Sequence, residues 1–263
     1  MRLNFTFSLL LAVSIFIISC GKDDVTSTTP PTDSAINNNF VRLQVGPKND
    51  TVYHFTYDSN KRLKTIEDTA GATIITATYS SAGNISSILV AYGATNTHNF
   101  TYTYNADNHL TQIDYLAGGV TPTIIAIAYT NGLPSKKTQT ATYNGVAKLY
   151  KTWLYTVKDS NITNIKEYDA DSNFVFETVC TFTDKENILK PLGLFGSVYW
   201  LDLSQAASLE AFYNKNLIAT STIYDVALTN YVYTYNDNKQ LTKLVASTEY
   251  PFYAGIWTRT FSY

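Results

Sequence analysis

The chain has 263 residues, and its 19 Lys and Arg face 21 Asp and Glu for a net charge of −2. That balance excludes the broad positive field on which nucleic-acid binding and electrostatic attachment to anionic membranes depend. Twenty-one Tyr and 13 Phe, with abundant Thr, Ile and Val, favour pleated sheet, and no long amphipathic helical pattern stands out.

Residues 1–19 read as a cleaved signal peptide. Arg2 precedes a nearly unbroken apolar run from Phe5 to Ile18, too short to cross a bilayer as a mature helix. The run ends in Ile17-Ile18-Ser19-Cys20, which resembles the signal of bacterial lipoproteins, where the leader is removed and the new N-terminal cysteine is acylated. Lys22, Asp23 and Asp24, which follow Cys20 and Gly21, resemble the acidic export signal that takes lipoproteins of Bacteroidetes-type bacteria to the outer face of the outer membrane. The resemblance implies a lipid anchor at Cys20 and a domain facing the exterior, the periplasmic face being the alternative. Each buried methylene contributes about 0.8 kcal/mol, so two or more acyl chains hold a protein without any spanning segment. Residues 20–39 are then a lipidated N-terminus and a disordered tether, because Thr, Pro, Ser, Asp and Asn there leave almost nothing to bury. Losing the leader removes Arg2 and no acidic residue, so the mature chain is slightly more acidic than the whole.

Residues 40–263 form one all-β domain built from a recurring unit. Alternating aromatics end in Tyr, a polar turn follows, and aliphatic residues stand six and nine positions after the Tyr. Tyr57 is followed by Leu63 and Ile66, Tyr79 by Ile85 and Ile88, Tyr104 by Leu110 and Ile113, and Tyr235 by Leu241 and Leu244. Looser copies start at Tyr129, Tyr155, Phe182 and near Tyr213. In Phe100-Thr101-Tyr102-Thr103-Tyr104 the aromatics share one strand face and the threonines the other, which predicts an aromatic interior. Two strands per unit predict an antiparallel meander of about 14–16 strands, curved or closed into a water-soluble barrel. Thr56, Thr101, Thr103 and Thr234 on the opposite face do not make the apolar band that a membrane-spanning barrel needs.

Two resemblances follow from these residues. Tyr57-Asp58 through Lys61-Arg62-Leu63 resembles the YD repeat of Rhs and toxin-shell proteins, with Lys61 in place of the usual Gly. The whole chain, lipobox included, resembles an uncharacterised Bacteroidetes lipoprotein family with a porin-like β fold, and this implies structural rather than chemical motifs. The alternation breaks at 191–216. There Leu192-Gly193-Leu194-Phe195-Gly196 precedes a segment that predicts a short helix over 204–212, with Ser204 as N-cap. An apolar insert within a meander is expected to cover a sheet opening or edge.

Chemistry-bearing motifs are sparse. His54, His98 and His109 have no metal-ligand spacing, no phosphate loop or nucleophile elbow is present, and no metal or cofactor is implied. Cys180 reads as a small core residue. Trp153, Trp200 and Trp257 are the candidate ligand-stacking residues, Trp200 leading because it lies in the irregular insert. The expectation is a non-enzymatic lipoprotein at the outer-membrane surface that binds or scaffolds a glycan or protein. The alternatives are a carrier enclosing an apolar ligand between Phe55, Tyr57, Tyr102 and Tyr233, and a glycoside hydrolase whose two carboxylates no motif reveals.

Overall fold

The computed structural model describes residues 41–45, 51–93, 95–117, 122–196, 209–224, 227–249 and 255–263. The first strands are β1 (Arg42–Val45), β2 (Thr51–Tyr57), β3 (Leu63–Asp68) and β4 (Thr73–Tyr79). β5 (Ile85–Tyr92), β6 (Asn96–Tyr104), β7 (Leu110–Ala117) and β8 (Thr123–Thr130) come next. Longer strands follow: β9 (Leu133–Tyr143), β10 (Val146–Lys158), β11 (Asn161–Asp169) and β12 (Phe174–Glu186). Two short helices, α1 (Lys190–Gly196) and α2 (Leu209–Tyr213), precede β13 (Asn216–Ile223), β14 (Ala227–Tyr235), β15 (Leu241–Glu249) and β16 (Gly255–Ser262). Every strand pairs with its neighbours in sequence, and β1 pairs antiparallel with β16, so sixteen strands close into a barrel. The all-β meander is therefore closed, at the upper end of the expected strand count.

The six-and-nine spacing has a structural cause. Strict alternation cannot put Leu63 and Ile66 on one face, because they are three residues apart. A bulge resolves this: Tyr57 pairs with Leu63 and Thr56 with Thr65, which leaves Lys64 as an extra residue. Tyr79–Ile85, Tyr104–Leu110 and Tyr235–Leu241 repeat the shift, with Ser86, Thr111 and Thr242 as the extra residues. In these three the extra hydroxyl donates back across the ladder, to the carbonyls of Thr78 (3.2 Å), Thr103 (3.2 Å) and Thr234 (3.1 Å). The bulge thus keeps both aliphatics inside while satisfying its own polar group.

The turn is equally regular. Asp58 Oδ1 accepts from the amides of Asn60 and Arg62, both at 2.9 Å, and Asn236 Oδ1 from that of Gln240 at 2.9 Å. The fourth residue after the Tyr takes a left-handed conformation, with φ of 61° at Lys61, 64° at Asn108, 62° at Lys239 and 88° at Gly83. One unit is tied to another through the tyrosines. Tyr79 donates its hydroxyl to the carbonyl of Leu63 (2.6 Å), Tyr129 to that of Leu110 (2.7 Å) and Tyr263 to that of Leu241 (2.6 Å).

Inside the barrel lies a continuous apolar core. Leu43, Ile66, Ile75, Ile88 and Ile113 are fully buried, with Phe55, Phe100 and Tyr102 packed among them. Thr56, Thr101, Thr103 and Thr234 face outward and are exposed. The aromatic face is the interior face.

The insert belongs to the core. Its described parts enter the lumen: Leu189, Leu192, Leu194, Phe195 and Leu209 join the core, and Tyr102 on β6 donates to the carbonyl of Leu194 at 3.1 Å. Residues 191–196, read from sequence as irregular, form most of α1, where Pro191 fits the first turn and Leu192, Leu194 and Phe195 gain burial. The second helix begins at Leu209, and the expected cap Ser204 lies outside the described residues. Buried asparagines fix the insert's two ends. Asn187 donates to the carbonyl of Ala211 at 2.8 Å, and Asn214 Oδ1 accepts the Ile162 amide at 2.7 Å.

Candidate functional site

Strand parity places a polar cluster inside the barrel. Tyr155 pairs with Ile165 and Trp153 with Glu167, so Trp153 and Glu167 share the inward face of buried Ile165. On the neighbouring strand Lys137 stands opposite Trp153, and Gln139 opposite Lys151. Lys151 also pairs with Asp169, the last residue of β11. The cluster therefore starts at the barrel rim and descends one inward position at a time, through Trp153 to Tyr155. This rim is the end opposite the insert, since the insert joins β12 to β13 at the other ends of the strands.

Two ion pairs organise the cluster. Glu167 is buried; it accepts from Trp153 Nε1 at 2.7 Å and pairs with Lys151 Nζ at 2.6 Å. Lys137 pairs with Glu210 of α2, and its ammonium lies 4.1 Å from the centre of the Trp153 ring. Tyr155 donates to the same Glu210 oxygen at 2.8 Å. The insert thus supplies the floor of the site, joined to the wall by a charge. Burial alone would raise the Glu210 carboxyl, but Lys137 and the Tyr155 hydroxyl outweigh it and hold it below its ordinary value. Burial, reinforced by the neighbouring Glu210 charge, holds the Tyr155 hydroxyl protonated far above its usual range.

The wall continues around the rim from β10 to β5. Tyr115 donates to or accepts from His98 Nδ1 at 2.9 Å, and His98 meets Tyr92 edge-on with ring centres 5.0 Å apart. Tyr92, His98, Tyr115, Gln139 and Trp153 are all half-buried, whereas Phe100, Ile113 and Ile127 deeper in the barrel are buried. In a closed barrel, exposure of an inward side chain requires solvent inside the rim. Cys180 is different: it is buried on β12, and desolvation with the Glu210 charge pushes its thiol up to about 12.

Of the residues singled out from sequence, Trp153 stands in this cluster. Trp257 pairs with Ala246 through its backbone, while its side chain lies outside the described residues. Trp200, Cys20, Lys22, Asp23 and Asp24 also lie outside them. Sequence reasoning missed Lys137, Lys151, Glu167 and Glu210. Counting by twos from Ile165 to Glu167, and from Tyr155 through Trp153 to Lys151, would have found two of them. Among the described residues no group of three or more His, Cys, Asp or Glu could hold a metal ion.

Two solved structures share the fold. A porin-like protein from Bacteroides uniformis ATCC 8492 superposes with a TM-score of 0.55 at 15% identity, covering 85% of this chain and 96% of that one. A porin-like protein from Bacteroides vulgatus ATCC 8482 gives 0.54 at 10% identity, over 85% of this chain and 98% of that one. No curated protein matches the chain. A family model does match residues 90–243, more than half of the chain, and the protein belongs to that family, the domain of unknown function (DUF4595) with porin-like fold.

Proposed function

We propose that this protein is a non-enzymatic binding module of the outer membrane, a barrel standing in water and held to lipid through acylated Cys20. The observation that carries this reading is the sidedness of the wall. A membrane-spanning barrel turns an apolar band outward and keeps a polar interior. Here Ile66, Ile75, Ile88 and Ile113 fill the inside, while Lys64, Glu67, Asn99, Lys136, Lys166 and Lys243 are exposed on the outside. Outward Leu89 is flanked across the ladder by Thr76 and Asn99, and Ile124 by Asp114 and Thr140, so these apolar side chains stay interspersed. A lysine at the bilayer midplane costs about 2–4 kcal/mol, which several outward lysines would multiply.

The same interior weighs against the two alternatives. The space bounded by Phe55 and Tyr102, where a carrier would hold an apolar ligand, is occupied by the insert. A glycosidase needs a carboxyl held protonated; Glu210 is held low, and Glu167 is tied to Lys151 and Trp153. The direction of the chain supports display of the rim. β1 enters the barrel at the end that carries the insert, so the half-buried rim cluster faces away from the tether.

Metabolic labelling with radioactive palmitate tests the anchor. The wild-type protein takes up label and sediments with membranes, and Cys20→Ser does neither. Label on Cys20→Ser, or none on the wild type, would overturn the anchor. An amine-reactive reagent that cannot cross membranes, applied to intact cells, reports the side: modification supports the exterior, and protection places the domain in the periplasm.

A further inference from the structure

We propose that the recess inside the rim binds a neutral sugar ring, stacked on Trp153 and held by Gln139 and Lys151; this rests on the reading of the protein as a binding module. Three observations carry it. The first is room. Trp153, Gln139, Tyr115 and His98 point into a closed barrel and are half-buried, and the Lys151 side chain keeps 35% of its surface exposed, so solvent reaches their inner faces at the rim. The core below is apolar and buried, and Lys137 with Glu210 forms a fixed floor between the two.

The second is charge. Lys137 is matched by Glu210 and Lys151 by Glu167, so neither lysine of the recess stands as an uncompensated cation. An ionic ligand would have to break a largely desolvated pair, which is costly because the remaining partner stays buried and unmatched. A neutral ligand leaves both pairs intact.

The third is the mixture of surfaces. Lys137 covers one face of Trp153 and Phe100 stacks on one face of Tyr115, which leaves the second face of each ring as flat apolar area, and between their strands stands the Gln139 amide, which both donates and accepts. Lys151, ion-paired with Glu167, has three N–H donors on a partly exposed ammonium. A ring with an apolar C–H face and a rim of hydroxyls matches this arrangement, whereas an aliphatic chain would leave the polar groups unanswered.

Calorimetric titration of the full chain tests the proposal, with maltohexaose, cellohexaose, xylohexaose and mannohexaose as neutral probes and oligogalacturonate as the acidic control. At least one neutral probe binds and the acidic one does not. Trp153→Ala weakens that binding about tenfold or more, as truncation of an aromatic anchor does. Because Trp153→Ala also removes a hydrogen bond to Glu167, Trp153→Phe and Gln139→Ala are measured alongside. The Phe variant keeps binding within a few-fold, while Gln139→Ala loses several-fold with an unchanged circular dichroism spectrum. Failure of all four neutral probes, equal affinity in Trp153→Ala, or preference for the acidic probe would overturn the proposal. Palmitate labelling is read independently, so the anchor reading can survive any of these outcomes.

Discussion

Tyr102 on β6 donates a buried hydrogen bond of 3.1 Å to the carbonyl of Leu194 in α1, ninety-two residues further along the chain. That bond ties the barrel wall to the insert that fills its lumen. Tyr102→Phe leaves the Leu194 carbonyl without this donor and is expected to cost about 1–2 kcal/mol. Phe195→Ala empties part of the plug and is expected to cost about 3–5 kcal/mol. Urea unfolding followed by circular dichroism measures both. If Phe195→Ala left stability unchanged, the insert would not be part of the core.

Glu210 gives the protein an acid sensitivity of known sign. Its folded carboxyl is held low, so its contribution is fully present above the unfolded value of about 4.3 and is lost as pH falls through the folded value. Glu210→Gln leaves Lys137 largely buried without its counter-charge and is expected to cost about 3 kcal/mol at neutral pH. The variant's stability should then decline less steeply than wild type below about pH 4. Denaturant midpoints across that range check both effects.

Lys61 and Lys239 hold left-handed backbone that costs a side-chain-bearing residue about 1–2 kcal/mol, and glycine occupies it freely at some entropic expense. Lys61→Gly and Lys239→Gly should each stabilise by about 0.5 kcal/mol, the difference of those two effects. Lys64→Gly, one turn later in a β-bulge with negative φ, should not. Thermal unfolding of the three variants separates turn geometry from loss of a lysine.

Cys180 should be inert in the folded protein. Its thiol, pushed up to about 12, is almost wholly protonated at neutral pH, and the side chain is buried on the inner face of β12. A maleimide reagent should label it in urea and leave it unlabelled in native buffer. Rapid native labelling would mean that the plug opens readily.

The sequence carries most of the barrel because each hairpin is a local unit. The Tyr, the turn and the two aliphatics lie within ten residues, and the bulge that unites Leu63 with Ile66 is encoded in their spacing. Closure of β1 on β16 and entry of the insert into the lumen depend on contacts far apart in sequence, such as Tyr102 with Leu194, which no local pattern records. The polar cluster was hidden for a different reason. Lys137 and Glu167 in strands read by default as solvated, and only strand parity with Ile165 turns Glu167 inward. Glu210 could not be placed without the path of the insert.

The central claim is that this barrel has its apolar side within and its polar side toward water. Partition of Cys20→Ser in Triton X-114 tests it most directly. The account predicts a folded, β-rich protein in the aqueous phase, sedimenting as a compact species without detergent. Retention in the detergent phase, with loss of β structure when detergent is removed, would contradict it.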